Sequence, residues 1–209
     1  LAYGTTPDQG RRDFLYRDCP APLSHLCPGG STEARWFAGL DALCAHLLAR
    51  DWQTDQGGTL KIERCLVDVG DPESRPVIHR FIRQSAYGSV LLPSKNTAVT
   101  AGKVPMAEWA RREGDRRGLN WILRAAVKGE PRWITSDVNY WKSFLTARLR
   151  VPPGSAGALY LWGDKPDPHR NFAQHVASEF RVRTEGPHGK VDEWQRRPII
   201  PPRGGSGTA

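Results

Sequence analysis

The sequence predicts an α/β protein, a mixed sheet flanked by helices. Three observations carry that expectation: a strand, a helix and a second strand in succession within residues 59–95, an alternating run answered by another strand across 118–137, and apolar residues at helical spacing in 31–50 and 139–150. One large domain is the expectation for 209 residues.

Residues 1–30 are rich in Pro, Gly and charge and read as an irregular arm or linker, with "CPAPLSHLCPGG" its clearest stretch. From Ser31, a plausible cap with Glu33 in the first turn, Trp36, Phe37, Leu40, Leu43, Cys44, Leu47 and Leu48 recur at helical spacing to about Arg50. "TLKIERCLVDVG" then reads as one buried strand carrying Leu60, Ile62, Leu66 and Val67, with Asp68 at its carboxyl end. In "SRPVIHRFIRQS", Val77, Ile78, Phe81 and Ile82 share a helical face, and "SVLLPSK" forms the next strand. Such a connection predicts a right-handed parallel crossover, which aims Asp68 at the crevice beyond the strand ends.

Residues 94–117 are polar and basic and read as a surface insertion or a DNA-facing loop. Leu119, Trp121, Leu123, Ala125 and Val127 alternate, and "RWITSD" follows a "KGEP" turn, so an antiparallel hairpin ending in Asp137 is expected. "NYWKSFLTARLR" is helical, with Trp141, Phe144, Leu145 and Leu149 at its spacing. "ALYLW" is a buried-strand candidate, and "HRNFAQHVASEF" a helix with Phe172, Val176 and Phe180 that ends near Glu179. A single folded domain would span 31–197, followed by a Pro- and Gly-rich flexible tail, 198–209.

Lys and Arg number 30 against 22 Asp and Glu, a formal charge of +8 with a pI near 9.6, which suits a polyanionic partner or a merely basic solvated surface. Cys19, Cys27, Cys44 and Cys65 lack zinc-type spacing and read as reduced thiols. No apolar run approaches the roughly 20 residues of a membrane helix, and no signal-peptide profile opens the chain, so a soluble, intracellular protein is expected. A start at Leu1 instead of Met reads as a fragment or a processed product.

Chemistry concentrates on the acids. Asp68 and Asp71 leave the first strand around Gly70, and Asp137 ends another; acids that converge from such ends could hold two divalent ions about 4 Å apart, with Asp71 or Glu179 adding a ligand. Hard oxygen ligands favour Mg2+ or Mn2+. The plainer alternative for each aspartate is a turn-forming residue. No phosphate-binding glycine loop, dinucleotide fingerprint, serine elbow or zinc-protease helix motif is present. His79, His169 and His175 read as helix-surface residues, and Trp36, Trp121 and Trp141 as core anchors.

In succession, "LVDVGDPESRPVIHRFIRQS", "SVLLPSK", "RWITSDVNYWKSFLTARLR", "LYLWGD" and "FAQHVASEF" resemble the nuclease portion of the large terminase subunit of lambda-type tailed phages, over roughly residues 40–197. The resemblance implies a ribonuclease H-like fold and metal-dependent cutting of double-stranded DNA during viral genome packaging in the host cytoplasm. Carried over, Asp68 and Asp137 are the catalytic acids and metal ligands, Asp71 and Glu179 further candidate ligands, and Lys142 a phosphate contact. Lys95, Lys103, Arg111, Arg112 and Arg148 would add sequence-independent DNA contacts. Implied partners are a small terminase subunit, the portal protein and an ATPase motor domain of the same subunit, upstream of this isolated nuclease domain. Such nucleases carry another aspartate on a helix near the C-terminus; here "DEWQRRPIIP" runs into "PRGGSGTA". A DNA-binding or docking module of the packaging machinery is the alternative, and an integrase or resolvase on the same fold a third reading.

Overall fold

The computed structural model describes residues 21–54, 56–161, 163 and 165–197; the expectations for the first 20 residues, Cys19 among them, and for the 198–209 tail lie outside these. Four helices are described, α1 (Thr32–Leu48), α2 (Arg75–Gln84), α3 (Val138–Leu149) and α4 (Arg170–Ala177). The strands are β1 (Trp52–Gln53), β2 (Thr59–Leu60), β3 (Cys65–Asp68), β4 (Leu91–Ser94), β5 (Arg116–Gly118), β6 (Trp121–Arg124), β7 (Trp133–Ser136), β8 (Glu179–Gly186) and β9 (Gly189–Arg196). Five of them form the central mixed sheet, in the order β3-β4-β7-β6-β5, flanked by helices. Strands β3, β4 and β7 run parallel, and β6 is antiparallel to both of its neighbours, β5 and β7.

Helix α1 starts where Ser31 accepts a hydrogen bond from the Ala34 N–H at 3.2 Å, which supplies one of the partners a helix start lacks. In α2 the expected apolar face is buried in full: Val77, Ile78, Phe81 and Ile82 all lie inside. Phe81 is completely covered and meets Phe37 of α1 edge to face at 5.1 Å, a burial that contributes about 2–3 kcal/mol. Cys44, Val69 and Leu91 complete this core, which rests on the side of the sheet to which Cys65 and Val67 point. Cys27, Cys44 and Cys65 are free thiols, and burial chiefly, with Cys65 beside it, pushes the Cys44 thiol up to about 11.

Several expectations are corrected. The run 59–69 is split: Thr59–Leu60 pairs with β1 in a small ribbon, and only Cys65–Asp68 joins the main sheet, as an edge strand. Leu60 is exposed on that ribbon, and Leu66 is exposed because an edge strand covered on one face alternates. In the 94–117 segment, Val99, Ala101 and Met106 are buried, and Val99 and Met106 pack against Ile122. The inward residue of β6 is Ile122, while Leu119 and Val127 are exposed. Trp141 is also exposed, Trp36 and Trp121 are half-buried, and His169 is buried just before α4. Residues 158–161 form no strand, and Glu179 opens β8 instead of closing a helix.

The β8–β9 hairpin seats on loop 97–101 and α3. Glu193 accepts from the Ala101 N–H at 2.9 Å, and the Asn139 side chain bridges Val99 and Trp194, donating to one backbone and accepting from the other. Gly186 lies so close to the Ala101 carbonyl that a Cβ there would fall 2.3 Å from its oxygen.

Candidate functional site

Because β3, β4 and β7 are parallel, their carboxyl ends meet at one edge of the sheet, and strand register fixes which side chains share a face there. Asp68, Ser94, Ile134, Leu123 and Arg116 form one in-register row across all five strands. The ladder between β4 and β7 continues past the named strands, with Lys95 N–H donating to Ile134 O, Thr97 N–H to Ser136 O and Val138 N–H to Thr97 O. Asn96 and Ser136 therefore stand one row beyond Ser94 on the same face as Asp68. Their contacts agree with that: the Ser136 and Ser94 hydroxyls both donate to Asn96 Oδ1, at 2.7 and 3.1 Å.

Trp121 faces Ser136 in register, and its indole lies across Gly118, where a Cβ would fall 2.2 Å from the ring. Glycine at 118 is what lets the indole lie flat on that strand. The face thus presents, at its edge, a carboxylate, two hydroxyls, an amide and an aromatic ring.

Asp68 is exposed, and among the described residues nothing donates to its carboxylate. It leans over Gly70, whose missing side chain leaves the carboxylate oxygens 3.3 and 3.5 Å from where a Cβ would stand. Asp71 accepts from the Ser74 N–H at 2.8 Å and so closes the turn into α2; the hydrogen bonds from Ser74 hold its carboxyl below the ordinary aspartate value. The nearby Arg75 is anchored by an Nε–H bond to the Val69 carbonyl, 3.0 Å long.

Asp137 stands elsewhere. It lies in register with Thr97, an odd number of residues from Ile134, so strand alternation turns its side chain to the opposite face from Asp68. There it is 6% exposed and caps α3: Oδ1 accepts from the Asn139 N–H at 3.0 Å and from the Val99 N–H at 3.1 Å. The expected convergence of Asp68 and Asp137 is not what this register produces. Glu179 is paired with Lys142 at 2.5 Å, joining α3 to β8 at the rim of a cleft of about 490 Å³ lined by Thr146, Phe172, Val176, Phe180 and Trp194.

Of the basic residues expected to meet DNA, Lys95 is exposed on the ladder beside Asn96. Lys103 is exposed and its ammonium donates to the Ala98 carbonyl, and Arg111 and Arg112 are exposed just before the tight turn at 113–114. Arg148 is half-buried, with its guanidinium over the Phe144 ring at 5.0 Å and bonded to Gly157 O. Residue-by-residue reading missed Asp115, which is 3% exposed and knits the β5–β6 side: Oδ1 accepts from Ala125 N–H, Oδ2 from Arg112 N–H and from Arg124 at 2.7 Å. These donors, the Ala125 amide first, hold its carboxyl down at about 2.

No group of three or more His, Cys, Asp or Glu side chains placed to hold a metal exists among the described residues. Mg2+ and Mn2+ nonetheless accept one or two carboxylates together with water and substrate phosphate. Asp68, with a bare carboxylate beside neutral oxygens, fits that sparser requirement; Asp137, whose Oδ1 is already engaged, fits it poorly. No helix among the described residues is long and apolar enough to cross a membrane.

Comparison with known proteins places these observations. Neither curated proteins nor solved structures gave a match. The family model described as "Terminase large subunit gpA, endonuclease domain" matches residues 30–199, the span that holds the whole sheet, its helices and the β8–β9 hairpin, so the chain belongs to that family of terminase large-subunit endonuclease domains.

Proposed function

We propose that this domain hydrolyses phosphodiester bonds of double-stranded DNA during the packaging of a viral genome, with Mg2+ or Mn2+, and that the chemistry takes place at the carboxyl edge of β3 and β4. The observation that carries the reading is Asp68: an exposed carboxylate, free of protein donors among the described residues, at the edge where parallel strands end, in a chain of the endonuclease family. Asp68 would hold the ion, with Asp71 next to it across Gly70; the ion would supply polarisation of a phosphoryl oxygen and activation of water. Lys95 and the exposed arginines of 111–112 would bind the DNA backbone without reading its sequence, so affinity would fall steeply with salt. The five-stranded mixed sheet supports a ribonuclease H-like assignment, which forms part of this proposal. The small terminase subunit, the portal protein and the ATPase motor of the large subunit are the partners the family suggests.

Cleavage of supercoiled plasmid with Mg2+, with Mn2+ and with chelator tests this. Asp68→Ala is expected to lower metal-dependent cutting at least about a hundredfold, close to 2.7 kcal/mol of barrier, while duplex binding persists. Cutting by Asp68→Ala at the wild-type rate would overturn the assignment. A second reading, a DNA-binding or docking module of the packaging machinery, is favoured by one observation, the commitment of Asp137 to the Val99 and Asn139 amides. Salt-sensitive duplex binding with no metal-dependent cutting by the wild-type chain would select it.

A further inference from the structure

We infer that Asn96 is a substrate-binding residue whose amide N–H group donates to a phosphate oxygen of the DNA strand lying across the Asp68 edge. The inference rests on the nuclease site proposed above and adds a residue to it.

The argument begins with what Asn96 is bonded to. Its Oδ1 accepts from two hydroxyls, Ser94 from its own strand and Ser136 from the neighbouring β7. The 2.7 Å separation from Ser136 is the usual length of an O–H···O bond and is short for an N–H···O bond, so the oxygen of the amide is the atom turned to the hydroxyls. Two donors on different strands hold the amide plane in place. Its Nδ2 is thereby directed away from the sheet, and among the described residues nothing accepts from it although the residue is exposed.

Such an arrangement has a chemical meaning. Ser94 is 4% exposed and Ser136 half-buried, and their hydroxyls spend their protons on Asn96. The result is an immobilised neutral donor on the same face as Asp68, which is in register with Ser94, one row back. Strand spacing and rise separate the two Cα atoms by about 8 Å, a distance a bound phosphodiester and its neighbour can bridge. A neutral N–H donor suits a phosphate oxygen in a place where the carboxylate of Asp68 would repel it, and the backbone N–H groups of Lys95, Thr97 and Val138 beside it are already used in the ladder. Lys95, the adjacent residue, points to the other face by the same alternation and does not duplicate the contact.

Asn96→Asp decides this, because aspartate keeps the oxygen that the two hydroxyls need and replaces the outward donor with an acceptor. Binding to a fluorescein-labelled duplex is measured in chelator, so that no cutting is required, and cleavage is then measured in Mg2+. The expected result is a dissociation constant raised about tenfold, a matching rise in KM with kcat changed less, and an unchanged melting temperature. Asn96→Gln, which retains the donor on a longer arm, should recover part of the affinity. Unchanged binding and KM in Asn96→Asp would overturn the inference, and so would faster cutting or tighter metal binding, since either would mean that an oxygen at this position faces a cation. If the wild type binds duplex but does not cut, the nuclease reading falls while the binding arm still judges Asn96.

Discussion

At the end of β3, Asp68 is exposed with no donor to its carboxylate among the described residues; at the end of β7, Asp137 is 6% exposed and its Oδ1 accepts two backbone N–H groups. Asp68 closes one short strand of the sheet and Asp137 follows another, and both strands point the same way. The difference lies in what the chain does next. After Asp68 it turns at Gly70, and Asp71 accepts from the Ser74 N–H to close the turn that leads into α2, leaving Asp68 unused. After Asp137 it enters α3 at once, so the aspartate becomes the cap, and the returning 97–101 loop adds the Val99 amide. An acid at a strand end is thus available for chemistry only where the following residues satisfy their own backbone donors.

Substitution at the two positions should therefore act on different quantities. Asp137→Ala removes a helix cap, worth about 1 kcal/mol, and strands the buried Val99 N–H, worth a further 1–3 kcal/mol. We expect a loss of about 2–4 kcal/mol, read as a melting temperature about 4–16 °C lower for a chain of this size. Asp68→Ala should stay within about 0.5 kcal/mol of wild type, as exposed positions do. Equal stability losses at the two sites would break the contrast, and a stable Asp137→Ala that binds DNA but no longer cuts would return Asp137 to the catalytic role the resemblance implies.

Asp115 offers a third carboxylate, buried like Asp137 and tied to both backbone and arginine. Its folded value of about 2 lies below the usual unfolded value of about 3.9, so its stabilisation is present above about pH 4 and is lost as pH falls through 2. The urea midpoint gap between wild type and Asp115→Asn should accordingly hold steady from pH 7 to about 4 and narrow towards pH 2. A gap independent of pH would mean that the packing of residue 115, and not its charge, is what the β5–β6 side requires.

How far the sequence foretold these sites follows from the range of the interactions that make them. Helix α2 and strand β4 were legible because Val77, Ile78, Phe81 and Ile82 carry the 3.6 period and a flanking turn within a few residues. Strand β5, "RRG", has no apolar signal at all, and its place is set by pairing with Trp121–Leu123. The β8–β9 hairpin was hidden at its start, where "VASEF" extends the helical spacing of α4, although Phe180, Val182 and Thr184 alternate before the Gly186–Gly189 turn. The fates of Asp68 and Asp137 were not legible. The donor that occupies Asp137 comes from Val99, 38 residues away, and no local pattern announces it. Nor does any local pattern join Asn96 to Ser136, 40 residues apart.

The smallest expected effect tests the acid that ended in neither category. Glu179 is paired with Lys142, their side chains 26% and 37% exposed, so water screens much of the attraction. A double-mutant cycle with Glu179→Gln and Lys142→Met should give a coupling of about 1 kcal/mol or less, shrinking further as salt is raised. The contact would then serve to fasten α3 to β8, adding to the bonds that Trp194 of β9 makes to α3, its indole donating to Ser143 at 2.9 Å and its backbone N–H to Asn139. Cleavage by Glu179→Gln separates this from the ligand role: a rate near wild type leaves Asp68 as the acid on which cutting depends. A hundredfold fall with the fold intact would instead require Glu179 to leave Lys142 and join the metal site when DNA is bound.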